Sequence, residues 1–563
     1  MKYTLPIFFL LLLLTMPMAA DAQSCTTAVC NATGSSEAAF LAALPSSGNT
    51  NATVVVNIPA GTASWSSDLA YTIPSAVTNL TIQGASTLTW TGTAGTSSWN
   101  YSANDQTIIQ DADPSNNSLI AFTTGAASTK FRITGLTIEE GTGAIKYNGE
   151  YNIGGGTRNF RFDHNHITGS SSTGQNEWLR ISVTGVIDHN ALDENSGRGN
   201  SNGDNYFQAF NGGVNDAIGQ GDGAWLNGPE FGTLLPLYIE SNYFTGGISD
   251  DCNFGGRFVE RYNTFNDMYV PIQTHGTKSA GGPQRGCIGY EAYNNYFIGS
   301  TSSPSSAATG SKAGTALLFN NTVATGYYRF YESSTDRNGG DNAPETNNPN
   351  GWGYCGTSTP VPNTGSANGV GSKWDGNQPS TTGYPCLDGL GRGQDTQALN
   401  GQTWPNRLNS VTGTIAWPHQ YLMPIYMWNN NFSGANPGVT YTSVTGNTTA
   451  NTTNNLDYYY DQSAQSGSFT GAAGTGFGSL ASRPSTCTAG PGGTYATSPT
   501  GSYGVAYFAT DANGGNGELY VCTSANTWTG IYQPYTYPHP LVTGGSVQAG
   551  PPGDPANLTG VVH

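Results

Sequence analysis

One short motif recurs along this chain at intervals of a few tens of residues. In each copy, residues typical of a β-strand precede an asparagine, and an apolar residue lies two positions after it. The aligned asparagines are Asn165, Asn190, Asn242, Asn263, Asn295 and Asn321, with a later copy at Asn430. The first six are separated by 25, 52, 21, 32 and 26 residues. A repeat of this length with one short strand per copy is typical of a solenoid, in which stacked units share one core.

The repeat predicts an all-β fold, a parallel β-helix. Stacked coils lie about 4.8 Å apart, so each aligned asparagine can pass its amide N–H to the amide carbonyl in the next coil and form a ladder. A β-propeller needs four strands in each repeat, which the shorter intervals do not supply. The interval of 52 residues is compatible with two coils, or with one coil that carries a long inserted loop.

Composition supports a large β structure and excludes several functions. Only 10% of the 563 residues are charged, whereas 11% are aromatic and 77 are glycine. Helical bundles need more charged residues on their surfaces, and disordered chains usually contain few aromatic residues. The net charge of −17 provides no basic groove for phosphates, so we expect no nucleic acid partner. The sequence also contains no nucleotide fingerprint, so we expect no nucleotide cofactor.

Residues 1–22 have the pattern of a secretory signal peptide. Lys2 precedes an apolar run from Leu5 to Leu14, and Ala20-Asp21-Ala22 supplies the small residues of a cleavage site. The run is too short to span a bilayer, and no later segment is long and apolar enough. We therefore expect a secreted, extracellular bacterial protein without a transmembrane segment.

The chain has eight cysteines, and disulfides are common in exported proteins. None of them has the Cys-x-x-Cys spacing of a metal site. Their order suggests pairing between neighbours, although other pairings remain open. The suggested pairs are Cys25–Cys30, Cys252–Cys287, Cys355–Cys386 and Cys487–Cys522.

Smaller elements complete the predicted organisation. A serine and an apolar pattern predict a short helix over residues 35–44, which would cap the core. We expect the β-helix to span residues 23–482, with residues 332–419 as a long insertion tied by a disulfide. Alternating segments predict a C-terminal β-hairpin module over residues 483–541, followed by a flexible tail over residues 542–563.

Several segments resemble a known superfamily. Val54–Thr62, Leu80–Gly84 and the Asp-His-Asn motifs ending at Asn165 and Asn190 are similar to coils of the pectate-lyase-like superfamily. Tyr535–Leu541 resembles a segment of a bacterial group in that superfamily, secreted and mostly without assigned function. The resemblance implies a right-handed, single-stranded parallel β-helix. It does not imply one chemistry, because the superfamily includes lyases, hydrolases, esterases, tailspikes and adhesins.

Strand alternation predicts which side chains face outwards. If the residues one and three positions before each asparagine face inwards, those two and four positions before it face outwards. This assignment places His164, His189 and Glu260 inside, with Arg257 as a candidate partner for Glu260. It also predicts an outward column that resembles a carbohydrate groove, formed by Asp163, Asp188, Glu240, Arg261 and Tyr293, with Tyr238 beside it.

Two mechanisms fit the carboxylates of this column, which would lie about 5 Å apart. That distance suits a retaining glycoside hydrolase. Alternatively, Asp163 and Asp188 would bind Ca²⁺, which prefers oxygen ligands, and Arg261 would remove a proton from a uronate. Asp188, Glu240 and Arg261 are the candidate catalytic residues, and Tyr238 and Tyr293 would bind the sugar. A solvated acidic face without function is a further interpretation.

A second candidate cluster lies near the Cys252–Cys287 segment. Asp250 and Asp251 are candidate Ca²⁺ ligands, and Arg257 is a candidate substrate-binding residue. His275 or Lys278 would act as the base, if its pKa were lowered. Ordinary surface ion pairs remain the alternative.

The sequence therefore predicts a polysaccharide-binding β-helix protein, with Ca²⁺-assisted polysaccharide lyase as the favoured activity. A glycoside hydrolase is one alternative. The other is a non-catalytic extracellular surface or matrix protein, either an adhesin or a rod that self-assembles.

Overall fold

The structure is a computed structural model. It describes residues 24–141, 143, 149–169, 177–194, 205–209, 225, 227–252, 255–274, 276, 286–302, 305–333, 389–395, 420–432, 440–444, 454–461, 468–490 and 503–545. The predicted signal peptide, the pair Cys355 and Cys386, and both His275 and Lys278 lie outside these residues.

Three parallel sheets form the body of the protein, and in each sheet the spatial order of the strands follows their order in the chain. Sheet A consists of Val29–Asn31, Thr53–Asn57, Asn79–Gln83, Lys130–Thr134, Asn159–Asp163, Gly185–Asp188, Leu237–Glu240, Arg257–Arg261, Gly289–Tyr293, Thr315–Phe319, Ile425–Trp428 and Tyr458–Tyr460. Sheet B consists of Gly61–Trp65, Thr107–Asp111, Thr137–Glu139, His166–Gly169, Ala191–Glu194, Tyr243–Thr245, Thr264–Asn266, Tyr296–Ile298 and Thr322–Thr325. Sheet C consists of Leu69–Thr72, Ile120–Thr124, Tyr151–Gly155, Glu177–Ile181, Asn205–Ala209, Ile248–Cys252, Ile272–Thr274, Ser305–Ser311, Tyr327–Ser333 and Thr440–Val444. One strand per sheet per coil makes the fold a parallel β-helix, as predicted.

The asparagine ladder forms at the turn from sheet A to sheet B. The backbone N–H and Nδ2 of Asn165 donate to Oδ1 of Asn190 over 2.9 and 3.2 Å. In turn, Nδ2 of Asn190 donates to the Phe162 carbonyl oxygen over 2.9 Å. Backbone N–H groups repeat this donation through Asn242, Asn263, Asn295, Asn321 and Asn430. The predicted ladder is confirmed.

The interval of 52 residues is a single coil. Gly185–Asp188 pairs directly with Leu237–Glu240 in sheet A. The residues between them include Ala191–Glu194 of sheet B and Asn205–Ala209 of sheet C. The long interval is therefore one coil that carries an inserted loop.

The residue before each ladder asparagine has a left-handed backbone. Its φ is 55° at His164, 54° at His189, 59° at Ser241 and 56° at Tyr262. This conformation turns the chain from sheet A to sheet B and breaks the strand alternation at that residue. The predicted inward position of His164 and His189 is therefore wrong. The residues three and five positions before the asparagine, such as Phe162 and Phe160, fill the core instead.

The other short elements lie at the ends and flanks of the coils. The helix Glu37–Ala43 begins after Ser36, whose Oγ accepts the Ala39 N–H, and its Phe40 stacks on Trp65 with ring centres 4.9 Å apart. An antiparallel hairpin of Thr87–Thr91 and Asn100–Asn104 is inserted between Asn79–Gln83 of sheet A and Thr107–Asp111 of sheet B. Arg392–Asp395 pairs antiparallel with Gln420–Leu422. Among the described residues, no helix is long and apolar enough to cross a membrane.

Three of the suggested disulfides are present, namely Cys25–Cys30, Cys252–Cys287 and Cys487–Cys522. The last one lies in a C-terminal module whose sheet contains Thr475–Gly478, Ala506–Ala509, Glu518–Ser524 and Thr527–Tyr532. Short 3-10 helices cover Leu480–Ser482, Asn513–Gly515 and Pro540–Thr543.

This module packs against the outer face of sheet A. Outward side chains of sheet A, including Phe319 and Trp428, form a second apolar cluster with Phe508, Leu519 and Tyr532 of the module. The ring centres of Trp428 and Phe508 lie 5.1 Å apart. Sheet A therefore has an apolar cluster on each of its two faces.

Candidate functional site

The predicted outward column is present in sheet A. Asp163 pairs in register with Asp188, Asp188 with Glu240, and Glu240 with Arg261. Arg261 in turn pairs with Tyr293 on the next strand. The repeat therefore identified residues that lie side by side on successive coils.

Much of this column lies beneath the chain's own C-terminal strap, which we define as residues 535–545. The Arg261 guanidinium donates to the carbonyl oxygens of Tyr535 and Thr536 over 2.8 and 2.9 Å. Arg261 also lies 2.6 Å from Glu240, whose other carboxylate oxygen accepts the His539 N–H over 2.8 Å. The buried charges are thus satisfied by each other and by strap backbone.

The two predicted sugar-binding tyrosines are buried in the same region. The Arg261 guanidinium lies 4.6 Å from the ring centre of Tyr238, and His539 packs on the Tyr238 ring at 5.0 Å. Tyr293 stacks on Phe319 at 4.5 Å. A sugar would reach these rings only if the strap left the sheet.

Burial also shifts the pKa values of titratable side chains under the module and in the core. Burial raises the pKa of Glu291 to about 7, and this carboxyl accepts hydrogen bonds from the Tyr532 hydroxyl and the Gly232 N–H. Burial lowers the pKa of His539 to about 3, so this imidazole is neutral near pH 7. Neither group combines a suitable pKa with access to solvent.

Glu260 faces the core, as the sequence suggested, but its partner differs from the prediction. Its carboxyl group accepts from Ser249 Oγ over 2.5 Å and from Asn263 Nδ2 over 2.7 Å, in place of Arg257. Burial raises the pKa of Glu260 to about 8. Glu260 is therefore mostly protonated at neutral pH, which explains how a carboxyl group fits in the core without a cation.

Just outside the strap, two Asp–His pairs lie side by side. Nδ1 of His164 lies 2.8 Å from Oδ2 of Asp163, and Nδ1 of His189 lies 2.9 Å from Oδ2 of Asp188. The imidazole rings are parallel within 3°, with centres 5.3 Å apart. In both pairs the carboxylate contacts Nδ1, so Nε2 is the nitrogen available for a ligand.

Two guanidinium groups hold the same carboxylates. Arg132 Nε donates to Oδ1 of Asp163 over 2.6 Å, and Arg161 donates to both oxygens of Asp188 over 2.9 Å. The Arg132 side chain is 39% exposed and that of His164 is 38% exposed. These two side chains present polar groups to solvent beside the strap.

Aromatic residues form one wall of this region, and the strap forms another. Trp90 and Trp99 of the hairpin stack at 4.6 Å, and their rings lie edge-on to His189 at 6.0 and 5.9 Å. On the strap, the Leu541 carbonyl oxygen accepts from Arg161 over 3.2 Å. We call the region bounded by Arg132, His164, His189, Trp90 and residues 541–545 the histidine cleft.

The cleft does not fit Ca²⁺. Ligand atoms of Asp163, His164 and Asp188 lie within 4.8 Å of one another, a spacing that suits a metal ion. However, Arg132 and Arg161 already bind these carboxylates, and a cation would be repelled by both guanidinium groups. We therefore derive no step that uses Ca²⁺ at this position.

The second predicted cluster is only partly described. Asp250 is buried in Ile248–Cys252, and Arg257 is buried at the start of Arg257–Arg261. The charge of Arg257 opposes the rise that burial causes in the pKa of Glu230. The side chain of Asp251 lies outside the described residues, as do His275 and Lys278, so their roles stay predictions.

Sequence reasoning missed Arg132 and the two tryptophans. Arg132 lies one coil before the first ladder asparagine, where Leu136 occupies the asparagine position and donates its N–H to Asn165 Oδ1 over 3.0 Å. Arg132 is in the column that contains Tyr238, four positions before each asparagine, and extending that column by one coil would have identified it. Polar and apolar residues alternate around Trp90, as in a β-strand, and this pattern would have predicted a strand of the hairpin.

Comparisons with known proteins do not assign a family. No protein-family model, no curated protein and no solved structure matches this chain. The arguments about function therefore depend on the geometry of the coils and of the histidine cleft.

Proposed function

We propose that this protein is a secreted, extracellular β-helix protein of the pectate-lyase-like type that binds polysaccharide at the histidine cleft and cleaves it as a lyase. One observation carries the proposal: two parallel imidazoles, each held through Nδ1 by a carboxylate, lie beside an exposed arginine and stacked tryptophans. The disulfides agree with an extracellular location.

The chemistry assigned to the cleft is β-elimination from a uronate polymer. One imidazole takes the proton from the carbon next to the uronate carboxyl group, and a carbon–carbon double bond forms. The glycosidic carbon–oxygen bond breaks, and the other imidazole donates a proton to the leaving oxygen. Arg132 is placed to bind the uronate carboxylate, because its guanidinium is partly exposed beside His164.

Carboxylate contacts orient both imidazoles for proton transfer. A carboxylate at Nδ1 fixes the orientation of an imidazole and leaves Nε2 as the nitrogen that exchanges a proton with the substrate. The tryptophan wall provides an apolar surface against which a sugar ring can pack. The cleft thus combines proton transfer with a surface for sugar binding.

The proposal is tested with His164→Asn and His189→Asn. Asparagine suits this turn, because Asn294, Asn320 and Asn429 occupy equivalent positions with φ of 51–56°. Purified variants are incubated with a panel of uronate polymers, and the ultraviolet absorbance of the unsaturated product is followed. Since a positioned acid or base contributes roughly 10²–10⁴-fold, each variant should lose at least about a hundredfold in rate.

Asn429→Ser is the matched control. Asn429 occupies the same turn position in a distant coil, and serine is already found there at Ser241. This control should retain the wild-type rate. Absence of unsaturated product from every polymer with the wild-type protein would refute the lyase, and release of reducing ends without it would indicate a hydrolase.

A non-catalytic matrix or adhesin role is the second candidate. The observation that favours it is the strap, which covers Arg261 and Glu240 and turns part of the outer face of sheet A into protein interior. Binding to polysaccharide or cells without turnover, retained in both histidine variants, would support this role over the lyase.

A further inference from the structure

A separate polar pocket lies on the outer face of sheet C, on a different sheet from the strap and its acidic column. Its volume is about 230 Å³. Its lining includes Tyr269, Gln273, Ser306, Gly310, Lys312 and Glu332. The histidine cleft uses none of these residues.

Strand pairing explains why a pocket forms here. Gly310 pairs with Glu332, and Thr309 pairs with Ile272, so Gln273, Gly310 and Glu332 occupy one position on three successive strands. The central position has no side chain. Gln273 and Glu332 therefore flank a notch that spans two strand spacings, roughly 9–10 Å.

The glycine at the centre of the notch is not required by the backbone. Gly310 does not have a positive φ. A Cβ at this position would lie 3.3 Å from Val270 Cγ1 and 3.4 Å from the Glu332 carbonyl oxygen, which is close but not prohibitive. The glycine lets Val270 pack close to the strand between the two polar side chains, and Val270 is part of the pocket lining.

The polar groups of the pocket are oriented by neighbours. One carboxylate oxygen of Glu332 accepts from Ser306 Oγ over 2.5 Å and from Arg329 Nη1 over 2.9 Å. Gln273 and Lys312 are half-buried on the lining. Glu332 is thus already in an ion pair with Arg329, and Lys312 adds a further donor to the lining.

A tyrosine completes the pocket. Tyr269 is 41% exposed and lies on the lining. An exposed aromatic ring, an oriented carboxylate and a polar pocket are features that recognise a sugar ring, since its C–H face is apolar and its hydroxyls both donate and accept. The volume is below the roughly 300–1,000 Å³ of larger ligand pockets, which suits a single ring.

We propose that this pocket binds one hexopyranose unit of a polysaccharide. Tyr269 stacks on the sugar face, Glu332 accepts its hydroxyl protons, and Gln273 and Lys312 contact adjacent hydroxyls. The proposal does not rest on the lyase, because the two sites share no residue.

Ligand-observed NMR on the full-length protein tests the site. Methyl glycosides of glucose, galactose and mannose are the probes, and saturation transfer to at least one of them is expected. Tyr269→Ala should weaken the binding of that glycoside by roughly tenfold, and Glu332→Gln should also weaken it. Unchanged melting temperatures confirm that both variants fold.

Two further variants serve as controls for binding at this pocket. Tyr328→Ala removes another exposed tyrosine, 54% exposed and not on the pocket lining, and should bind as the wild type does. His164→Asn should also retain binding, whether or not the lyase proposal holds. The proposal is overturned if no glycoside shows transfer, or if Tyr328→Ala loses binding as Tyr269→Ala does.

Discussion

At the scale of single residues, Glu260 shows how a parallel β-helix tolerates a carboxyl group in its core. Ser249 and Asn263 donate to it, and burial holds its pKa at about 8. In the other coils this position is apolar, as at Ile239 and Ala292, its neighbours on the adjacent strands. The protonated form avoids a buried charge, while each oxygen of the carboxyl group accepts a hydrogen bond.

The raised pKa makes stability depend on pH. The unfolded chain releases the Glu260 proton near pH 4.5, whereas the folded protein retains it up to about pH 8. The free energy of unfolding therefore falls as the pH rises between these values, by roughly 5 kcal/mol for this group. Glu260→Gln should remove this part of the slope, measured by chemical denaturation across that range.

Glu291→Gln is the control for the pH dependence of stability in Glu260→Gln. The pKa of Glu291 is about 7, so its contribution ends at a lower pH than that of Glu260. The Glu291 variant should keep the decline that wild type shows between about pH 7 and pH 8. An identical pH profile in Glu260→Gln and wild type would contradict the assignment of a buried, protonated Glu260.

At the scale of elements, the sequence predicted the features that recur in successive coils and missed the C-terminal strap, which occurs once. The ladder asparagines and the column from Asp163 to Arg261 follow from one period and are in register. The orientation of His164 was predicted wrongly, because one left-handed residue breaks strand alternation. The strap was not predicted, since Arg261 meets Tyr535 across 274 residues of sequence and no period relates them.

The strap itself gives a prediction at this scale. Tyr537 stacks on Tyr262 with ring centres 3.6 Å apart, and its hydroxyl lies 2.9 Å from Ser241 Oγ. Tyr537→Ala should lower the free energy of unfolding by about 1–3 kcal/mol, because it removes the ring contact and the hydrogen bond. Chemical denaturation measures this loss.

Tyr537→Phe separates the two contributions. It keeps the stacked ring and removes only the hydroxyl, so it should cost no more than about 1.5 kcal/mol. If alanine and phenylalanine cost the same, the ring stack contributes nothing and the strap is not held as described.

At the scale of the whole molecule, sheet A joins two apolar clusters into one structure. Its inward residues, such as Phe162 and Leu318, belong to the core of the β-helix. Its outward residues, such as Phe319 and Trp428, pack against the C-terminal module. Separating the module would expose the second cluster to water, so the β-helix and the module should unfold together.

This coupling predicts a single thermal transition, although long arrays of repeats often unfold in steps. Phe508 belongs to the module, is 5% exposed and lies 5.6 Å from Phe319 between ring centres. Phe508→Ala should lower the melting temperature of the whole protein, with a loss of about 3–5 kcal/mol. Calorimetry should show one peak, shifted down, in which the calorimetric and van't Hoff enthalpies agree. An early, separate peak in the variant would instead mean that the module unfolds alone and that sheet A does not couple the two clusters.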